Sequence, residues 1–559
     1  MNELLDIMIK TKQISPSDAE IFLQKEISPD TELSEEVVLR WLAGQYGLSF
    51  TNLDDIEPDR ELLSLFPARV LLRQGILPIR RKNNCVEVAT SRLFSTEGLD
   101  TLKVLTGMNL TPVLASSQDI QREMKRRLGV GADTLDSLEE ESSIQVIDEN
   151  PDDDVDLDKA TEDASIIRFV NQVMSEAIGL RATDIHLEPF ENEMRIRYRI
   201  DGILQDVPVP SQIKRYQPAI VSRVKILSHL DIAEKRLPQD GRIKVRLSER
   251  EVDVRVSLIP MLYGEGVVMR LLPQDLTLLG MKELKMAERE ERLFHAMLGV
   301  PHGIILVTGP TGSGKTTTLY SALNEINDSI RKIITIEDPV EYHMRGVNQI
   351  QVNEKAGLTF ARGLRSILRH DPDVVLVGEI RDSETAQIAI QASLTGHLVF
   401  STLHTNNAPG ALTRLVDMGV EPYLVASALE GVLAQRLVRV LCNSCKIEDH
   451  SPATFAFKKD VGMLADIPIY RAVGCEACRG TGFHGRRGVF ELMTMNEEIR
   501  QLIMTSRSTG EIRETARKSG MRSLTEDGWR LVSEGATTVE EVLRVTKDER
   551  INGNGLRKE

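Results

Sequence analysis

Hydrophobic positions near the N-terminus follow helical spacing before they change to short alternating runs. The segments "MNELLDIMIK" and "ELSEEVVLRWLAGQYGL" place apolar residues on one helical face. The later segment "GILPIRRKNNCVEVATS" predicts two short strands around a polar turn at Lys82–Asn84. We therefore expect an N-terminal domain over residues 1–128 that combines helices with a small sheet.

The middle of the chain changes from a long amphipathic helix to alternating strands. "ASIIRFVNQVMSEAIGL", Ala164 to Leu180, has helical spacing. In "EMRIRYRIDGIL" apolar residues alternate with Arg195, Arg197 and Arg199, and Asp201-Gly202 is a hairpin signal. A second alternating pair follows in "RIKVRLSEREVDVRVSLI". The pattern predicts an α+β domain over residues 164–275 with one strongly basic sheet face, which is either solvated or in contact with phosphate.

Beyond residue 300 the strands become continuous apolar runs instead of alternating ones. The runs lie in "GIILVTG", "KIITIEDPVEY", "DPDVVLVGEIRD" and "HLVFSTLHTN". Such runs are typical of parallel strands that are buried on both faces, and ligands bind at the carboxyl ends of strands in open α/β sheets. We therefore expect functional side chains directly after these runs.

Composition adds a linker and no sign of nucleic-acid binding. The 559 residues suggest three or four domains, and 41% hydrophobic with 27% charged residues is ordinary for a soluble protein. Residues 131–163 hold 14 acids and one Lys, a charge of −13, which leaves about −2 of the net −15 for the rest. We interpret residues 129–163 as an acidic flexible linker, with a charged docking tether as the alternative. No apolar run approaches the ~20 residues of a membrane span, so any membrane contact is expected to go through a partner.

A phosphate-binding loop follows the first apolar run. Gly309 to Thr316 fits GxxxxGK[ST], in which backbone N–H groups and a helix N-terminus surround phosphates. Lys315 is expected to reach the β- and γ-phosphates of ATP, and the Thr316 hydroxyl to bind Mg²⁺. The predicted nucleotide-binding residues of this loop are Gly309, Pro310, Thr311, Gly312, Ser313, Gly314, Lys315, Thr316 and Thr317.

Acidic residues and histidines flank the other apolar runs. Glu379 ends one run and is expected to polarise water or to hold the water shell of the magnesium ion, while Glu337 ends another. His397 precedes the fourth run and His404 follows it. Each histidine alone would be interpreted as structural. As a set beside a phosphate loop, the four residues predict a hydrolytic site.

Two CxxC pairs predict a metal site. Cys442, Cys445, Cys475 and Cys478 have the spacing of two knuckles that bind one tetrahedral Zn²⁺ in a structural role. A redox pair is the rival interpretation, but one CxxC would suffice for it and the βαβ context is missing. Cys85 is interpreted as a small buried residue of a strand.

Together these motifs resemble the secretion ATPases of type II secretion systems and type IV pilus assembly, from Ala164 to the C-terminus. The resemblance rests on "RATDIHLEP", "RYRIDG", "RLPQDGRI", "DVRVS", "GPTGSGKTTTLY", "ITIEDPVEY", "VGEIRD", "LTGHLVFSTLHTN", "AQRLVR", the paired CxxC, "GRRGVFEL" and "TEDGWRLVSEGATTVEEVLRVT". It implies an ATP-hydrolysing hexameric motor that assembles pilins or pseudopilins. The fold it implies is a RecA-like P-loop core preceded by an α+β (PAS-like) domain, an N-terminal α/β docking domain and a zinc-binding insertion.

The resemblance also implies roles for particular residues. Lys315 and Thr316 match the phosphate loop, and Glu379 the hydrolytic glutamate. Glu337 matches the aspartate-rich box, and His397 and His404 the histidine box. The four cysteines match a zinc module that pilus-retraction ATPases generally lack, which favours an assembly or secretion motor. The candidate phosphate-contacting arginines, with the first two favoured because they share one strand face, are Arg197, Arg199, Arg236, Arg255 and Arg270.

Partners and domain limits complete the expectation. The first domain resembles a region that in some relatives binds cyclic di-GMP through segments that open with Arg-Leu-Gly. That tripeptide is missing here, so docking to a membrane-anchored partner is expected instead. An inner-membrane platform protein is the second expected partner, and the location is cytoplasmic at the inner membrane. The predicted later regions are a RecA-like core over 276–436, a zinc module over 437–490 and a helical region over 491–559.

Two other functions remain as alternatives. A nucleotide-gated scaffold would bind ATP to control docking, and its turnover would be incidental. A DNA-translocating motor would share the core, but it calls for a basic strip or stacking aromatics, whereas aromatic residues are only 4% of the chain and most excess charge is acidic.

Overall fold

The computed structural model describes residues 3–546, with gaps at 26–33, 54–55, 57–61, 64, 67, 83–84, 96, 129–144, 147–161, 211–212, 248–249, 274–279, 463–466 and 506. The predicted acidic linker over 129–163 therefore lies almost wholly outside the described residues. The chain forms two compact units, Met1–Asp275 and Leu276–Glu559. No described helix is both long enough and apolar enough to cross a membrane.

The first part of unit one is a small α/β region. Its three-stranded sheet has the order β1-β2-β3, with β1 and β2 antiparallel and β2 and β3 parallel. The β1–β2 hairpin lies where the alternating pattern predicted it, and Cys85 is half-buried at the start of β2. The elements of this region are α1 (Glu3–Lys10), α2 (Pro16–Lys25), α3 (Glu35–Tyr46), α4 (Ala68–Gln74), β1 (Ile76–Lys82), β2 (Cys85–Thr90), α5 (Glu97–Thr106), β3 (Asn109–Leu114) and α6 (Ser117–Leu128).

The second part of unit one is an antiparallel sheet with two helices packed on it. The strand order is β4-β8-β9-β10-β5-β6-β7. One core contains Val173 of the first helix, Val224 of the second and Ile196 of the sheet. Asp201 and Gly202 turn the β6–β7 hairpin with positive φ angles of 49° and 86°. The elements are β4 (Gln145–Val146), α7 (Glu162–Gly179), β5 (Asp184–Pro189), β6 (Met194–Ile200), β7 (Ile203–Val207), α8 (Ile213–Leu227), β8 (Gln239–Leu247), β9 (Arg250–Met261) and β10 (Gly264–Pro273).

Unit two is built on a seven-stranded sheet of order β13-β12-β14-β15-β11-β16-β19, parallel except for the pair β16–β19. The four apolar runs are the neighbouring strands β12, β14, β15 and β11, so their carboxyl ends share one edge. Helices cover both faces of the sheet. The elements up to β16 are α9 (Glu288–Leu298), β11 (Gly303–Thr308), α10 (Lys315–Ile326), β12 (Ile333–Glu337), β13 (Val347–Gln351), α11 (Phe360–Ile367), β14 (Val374–Val377), α12 (Ser383–Leu394), β15 (Leu398–Leu403), α13 (Pro409–Asp417), α14 (Pro422–Ala428) and β16 (Leu429–Leu441).

The cysteine-bearing segment is inserted between the last two strands of this sheet. Strand β16 continues to Leu441 and β19 begins at Phe483, so the inserted segment is shorter than the predicted 437–490 and covers 442–482. The four C-terminal helices pack back onto the core. The remaining elements are β17 (Ile447–Glu448), α15 (Pro452–Asp460), β18 (Tyr470–Arg471), β19 (Phe483–Thr494), α16 (Glu497–Met504), α17 (Thr509–Lys518), α18 (Leu524–Ser533) and α19 (Val539–Thr546).

Candidate nucleotide and metal sites

The phosphate loop joins β11 to α10 and is shaped by its glycines. Gly309 has φ 152° and Gly314 has φ 89°. A Cβ atom at Gly309 would lie 2.5 Å from the Ser313 hydroxyl oxygen and 2.6 Å from the Gln435 carbonyl oxygen. The loop is therefore too tight at its first position for any side chain. Two of its backbone N–H groups donate within the protein, Gly309 to the Leu403 carbonyl oxygen and Ser313 to the Pro310 carbonyl oxygen. Glycine-rich loops of this kind bind anions through their backbone N–H groups.

Lys315 is the first residue of α10 and its ammonium group bends back over the loop. Its Nζ donates to the carbonyl oxygens of Gly309 at 2.8 Å and Pro310 at 3.1 Å. Burial lowers the pKa of Lys315 to about 8, an effect that the Glu379 carboxylate opposes and that the Arg436 guanidinium increases. Phosphate charge at this position would favour the protonated form. Thr316 follows, half-buried, and its hydroxyl has no hydrogen-bond partner among the described residues, so it is open to a magnesium ion.

Glu379 lies after the carboxyl end of β14, as the apolar run predicted. Its Oε1 is 2.5 Å from an Arg381 nitrogen and its Oε2 is 3.4 Å from Nε2 of His404. Its carboxylate also interacts with the Lys315 ammonium. The structure therefore brings Lys315, Glu379 and His404 together at one edge of the sheet.

A pair of threonines fixes the histidine loop to the phosphate-loop strand. Thr308, the last residue of β11, is fully buried, and its hydroxyl lies 2.7 Å from the Thr405 hydroxyl. The backbone N–H of Thr405 donates to the Thr308 Oγ1 at 2.9 Å. His404 precedes Thr405 directly, so its backbone position relative to the phosphate loop is set by these two hydrogen bonds.

Glu337 and His397 occupy different surroundings from the other predicted catalytic residues. Glu337 is 4% exposed and accepts hydrogen bonds from Tyr320 at 2.5 Å and Thr335 at 2.7 Å. Burial raises the pKa of Glu337, and these hydrogen bonds oppose that rise. Its contacts join β12 to α10.

His397 lies at the amino end of β15, where its Nδ1 is 2.8 Å from the Ala392 carbonyl oxygen. The parallel register pairs Gly303 with Leu398 and Thr308 with Leu403, so His397 and the phosphate loop lie at opposite ends of these two strands. Within unit two the structure therefore separates His397 from His404. A role for His397 at the hydrolytic site stays a prediction.

The arginine face of unit one is less basic than the alternating pattern predicted. Strand β5 places carboxylates between the arginines. Arg197 lies 2.5 Å from Glu188, and Asp184 lies 3.6 Å from Arg199 and 3.1 Å from Arg270. The expectation of a strongly basic sheet face was wrong in this respect, because the chain carries acids on the neighbouring strand that the arginine strand alone did not reveal.

Cross-strand register nevertheless gathers most of the candidate arginines in one line. Asp184 pairs with Arg199 on one side and with Arg270 on the other, Arg270 pairs with Arg255, and Arg255 pairs with Arg242. Residues in register point to the same face of a sheet. We call this line of four guanidinium groups and one carboxylate the arginine row; its members are Arg242, Arg255, Arg270, Asp184 and Arg199.

The other two candidates lie outside the arginine row. Arg197 is two residues before Arg199 on β6, and it is held by Glu188. Arg236 is exposed in the loop before β8, and its guanidinium forms an ion pair with Glu234 at 2.8 Å. Arg242 was not among the predicted residues, since only the strand pairing reveals that it is aligned with the others.

The four cysteines converge as the spacing predicted. Their sulfur atoms all lie within 4.8 Å of one another, and the separations Cys442–Cys475, Cys445–Cys478 and Cys475–Cys478 are 3.7–3.8 Å. A tetrahedral site with Zn–S bonds of about 2.3 Å has sulfur separations of about 3.8 Å. Backbone N–H groups of Cys475 and Gly482 donate to the Cys478 sulfur, which stabilises a thiolate there. The donor set therefore fits one structural Zn²⁺.

Substituting Cys442 with Ser should remove the metal and loosen the inserted segment. A three-thiolate site loses one bond and its closed geometry, so we expect zinc content to fall from about one ion per chain to well below half. Atomic absorption on the purified full chain measures this, and hydrogen exchange should rise across 442–482. Cys85→Ser is the matched control and should retain zinc. Full zinc occupancy in Cys442→Ser would rule out the four-thiolate site.

Two buried polar residues next to the phosphate loop were missed from the sequence. Gln435 and Arg436 interrupt the apolar strand β16, and they are 2% and 9% exposed. Gln435 Nε2 donates to the Ser313 carbonyl at 2.7 Å, and Arg436 Nη2 donates to the Asn406 carbonyl at 2.8 Å. The sequence feature that could have identified them is the polar pair at the centre of the apolar run "LEGVLAQRLVRVL".

Known proteins are similar in sequence to this chain over most of its length. The family described as "Type II/IV secretion system protein" matches residues 159–544, and the "MshEN domain" family matches residues 46–132. The "Type II secretion system protein E" of Pseudomonas aeruginosa is 54% identical over 394 residues, 70% of this chain and 78% of that protein. The "Type IV pilus assembly ATPase PilB" of Myxococcus xanthus is 41% identical over 528 residues, 93% of this chain and 92% of that protein.

A solved structure supports the fold. The X-ray structure of the Legionella pneumophila ATPase DotB matches with a TM-score of 0.50 at 22% identity, covering 69% of this chain and 96% of DotB. At this identity the likeness concerns the fold alone. It agrees with the α/β architecture predicted from the apolar runs and the phosphate loop.

Proposed function

This chain belongs to the type II/IV secretion system protein family, and on that premise we propose that it hydrolyses ATP where the phosphate loop, Glu379 and His404 meet. The chain is an ATPase of the motors that serve type II secretion and type IV pilus assembly. The observation that carries the proposed site is the convergence of Lys315, Glu379 and His404, held by the Thr308–Thr405 hydrogen bond.

In this proposal the loop and Lys315 bind the triphosphate. Backbone N–H groups of Gly312 to Thr316 face the phosphates, and the ammonium of Lys315 exchanges its two carbonyl partners for phosphate oxygens. Thr316 and water molecules would hold Mg²⁺, which neutralises charge on the phosphates. The loop thereby orients the terminal phosphoryl group in front of Glu379.

Glu379 orients and polarises the attacking water. Its carboxylate accepts from Arg381 and faces His404, and these two contacts limit its rotation. His404 is 51% exposed on its side chain, so it remains accessible to nucleotide or to water. We propose that it stabilises the oriented carboxylate and contacts the phosphate.

We further propose a hexamer that works with other parts of a membrane machine. The family is one of motors that act with machine components, and the relatives are a secretion protein and a pilus assembly ATPase. The proposed partners are an inner-membrane platform protein and a membrane-anchored docking protein, with the chain in the cytoplasm at the inner membrane. The N-terminal α/β region is proposed to dock, without binding cyclic di-GMP.

Deletion of the gene tests the proposed function and separates its two versions. A pilus motor predicts loss of surface pili by electron microscopy, whereas a secretion motor predicts exported enzymes retained in the periplasm. Reintroducing the parent chain should restore the lost property. A deletion strain with normal pili and normal secretion would contradict the proposal.

Mass photometry of the purified chain with a non-hydrolysable ATP analogue tests the proposed hexamer. A protein that stays monomeric with every nucleotide would contradict it.

A further inference from the structure

Strand β16 carries an uncharged amide and a guanidinium group in the middle of a buried sheet. It lies between β11, which leads into the phosphate loop, and β19. Thr308 pairs with Ala434, so Gln435 and Arg436 follow β11 just where the phosphate loop begins. Burying such groups is unfavourable unless their hydrogen bonds are satisfied, so their partners show what these two residues do.

Both ends of the Gln435 amide form hydrogen bonds, one to the phosphate loop and one to α10, the helix that follows the loop. Its Nε2 donates to the Ser313 carbonyl at 2.7 Å, and its Oε1 accepts from the Thr318 hydroxyl at 2.8 Å. A Cβ atom on Gly314 would lie 3.0 Å from the same Nε2. One buried side chain thus ties the loop to the first turn of α10 and fills the space behind it.

Arg436 points to the opposite face of the same strand, as alternation requires. Its Nη2 donates to the Asn406 carbonyl at 2.8 Å and its Nη1 to the Gln435 carbonyl at 3.0 Å. Asn406 lies two residues after His404. The same loop is closed by Ala408, whose N–H donates to the buried Glu491 carboxylate of β19 at 2.7 Å.

We propose that Gln435 and Arg436 are positioning residues, which hold two different loops of the ATPase site in place from one rigid strand. Gln435 fixes the position of the phosphate loop and therefore governs nucleotide affinity. Arg436 fixes the position of the loop that carries His404 and therefore governs turnover. This inference rests on the proposed hydrolytic site, and it adds that the two loops are aligned through neighbouring residues of β16.

Gln435→Glu and Arg436→Lys test the two halves separately. A glutamate cannot donate to the Ser313 carbonyl, so we expect nucleotide affinity, measured with a fluorescent ATP analogue, to fall about tenfold while kcat changes less than about twofold. Arg436 reaches its two carbonyl partners with two separate nitrogens, whereas a lysine has one nitrogen on a shorter side chain. Arg436→Lys should therefore lower kcat about tenfold with affinity nearly unchanged. Gln435→Met, which retains the length but has no donor, should reproduce the affinity loss.

Arg439→Met is the matched control on the same strand. Arg439 forms an ion pair with Glu541 at 2.9 Å and contacts neither loop, so its loss should lower the unfolding temperature and leave affinity and kcat unchanged. If the Gln435 and Arg436 variants likewise lose stability alone, or if each loses affinity and kcat to the same extent, the inference is overturned. If Glu379→Gln also remains active, the proposed function fails; if it is inactive, only the positioning inference fails.

Discussion

Replacing Glu379 with Gln is expected to lower the rate of ATP hydrolysis by about 10²–10⁴-fold while ATP binding is retained. The amide keeps the size of the side chain and can still contact Arg381 and His404 across the same distances. It cannot accept a proton from water or carry the charge that orients water. Stopped-flow or coupled-enzyme assays measure the loss, and a fluorescent ATP analogue measures the retained affinity.

Glu384→Gln is the matched control for this substitution. Glu384 is five residues later, exposed on α12 and paired with Arg365 at 2.6 Å, so its loss should leave turnover unchanged. Undiminished hydrolysis in Glu379→Gln would refute the role assigned to this carboxylate. The same variant separates a motor from a nucleotide-gated scaffold. A scaffold would still support pili or secretion in cells with Glu379→Gln, whereas a motor would not.

The nucleotide site was largely predictable because its parts are local in sequence. A phosphate loop needs glycines, a lysine and a following helix within a few residues, and each apolar run shows directly which residue follows the end of its strand. Glu379 and His404 could therefore be assigned to the same edge as Lys315. The same logic also explains His397: it precedes its strand, and parallel register places it at the other end.

The sheet face of unit one was harder to predict, since its charge depends on strands that are distant in sequence. Alternation on β6 correctly separated the arginines from buried Ile196 and Tyr198. It could not show that Asp184 and Glu188 of β5 lie in register with them. Nor could it show that Arg242 aligns with Arg255, because register between strands is set by turns and packing rather than by the pattern within one strand.

Gln435 and Arg436 were missed for a related reason. The role of a polar pair inside an apolar strand cannot be predicted until its hydrogen-bond partners are known. Ser313 lies 122 residues from Gln435 in sequence, and Asn406 lies 30 residues from Arg436.

The ends of the zinc segment could not be predicted from the sequence for a similar reason. The cysteines were visible as a motif, but the flanking strands β16 and β19 belong to the core sheet.

Neutralising part of the arginine row is the second change with a large expected effect. If these guanidinium groups stabilise the transferred phosphoryl, as the family resemblance implies, the double substitution Arg255→Ala and Arg270→Ala should lower kcat on the order of 10³-fold, because such groups contribute about 10³–10⁵ in ATPases and GTPases. Asp184 offsets one positive charge of the row. Nucleotide affinity should change much less than kcat, since the charge on the phosphoryl oxygens develops in the transition state.

Arg195→Ala is the control, because Arg195 shares β6 with the row but pairs with Glu193 and lies outside it. A double variant with normal kcat and a normal unfolding temperature would show that the row is a solvated surface.

Assemblies that mix these two variants, Glu379→Gln and the double arginine variant, test whether the row acts on a nucleotide of its own subunit or of a neighbouring one. A subunit with Glu379→Gln cannot hydrolyse ATP but has an intact row, while the double variant has an intact Glu379. If the row serves the nucleotide of a neighbouring subunit, mixing the two inactive proteins should restore part of the activity, because some sites then combine a competent glutamate with a competent row. If the row serves its own subunit, every site in the mixture lacks one of the two groups, and the mixture should stay as inactive as its components.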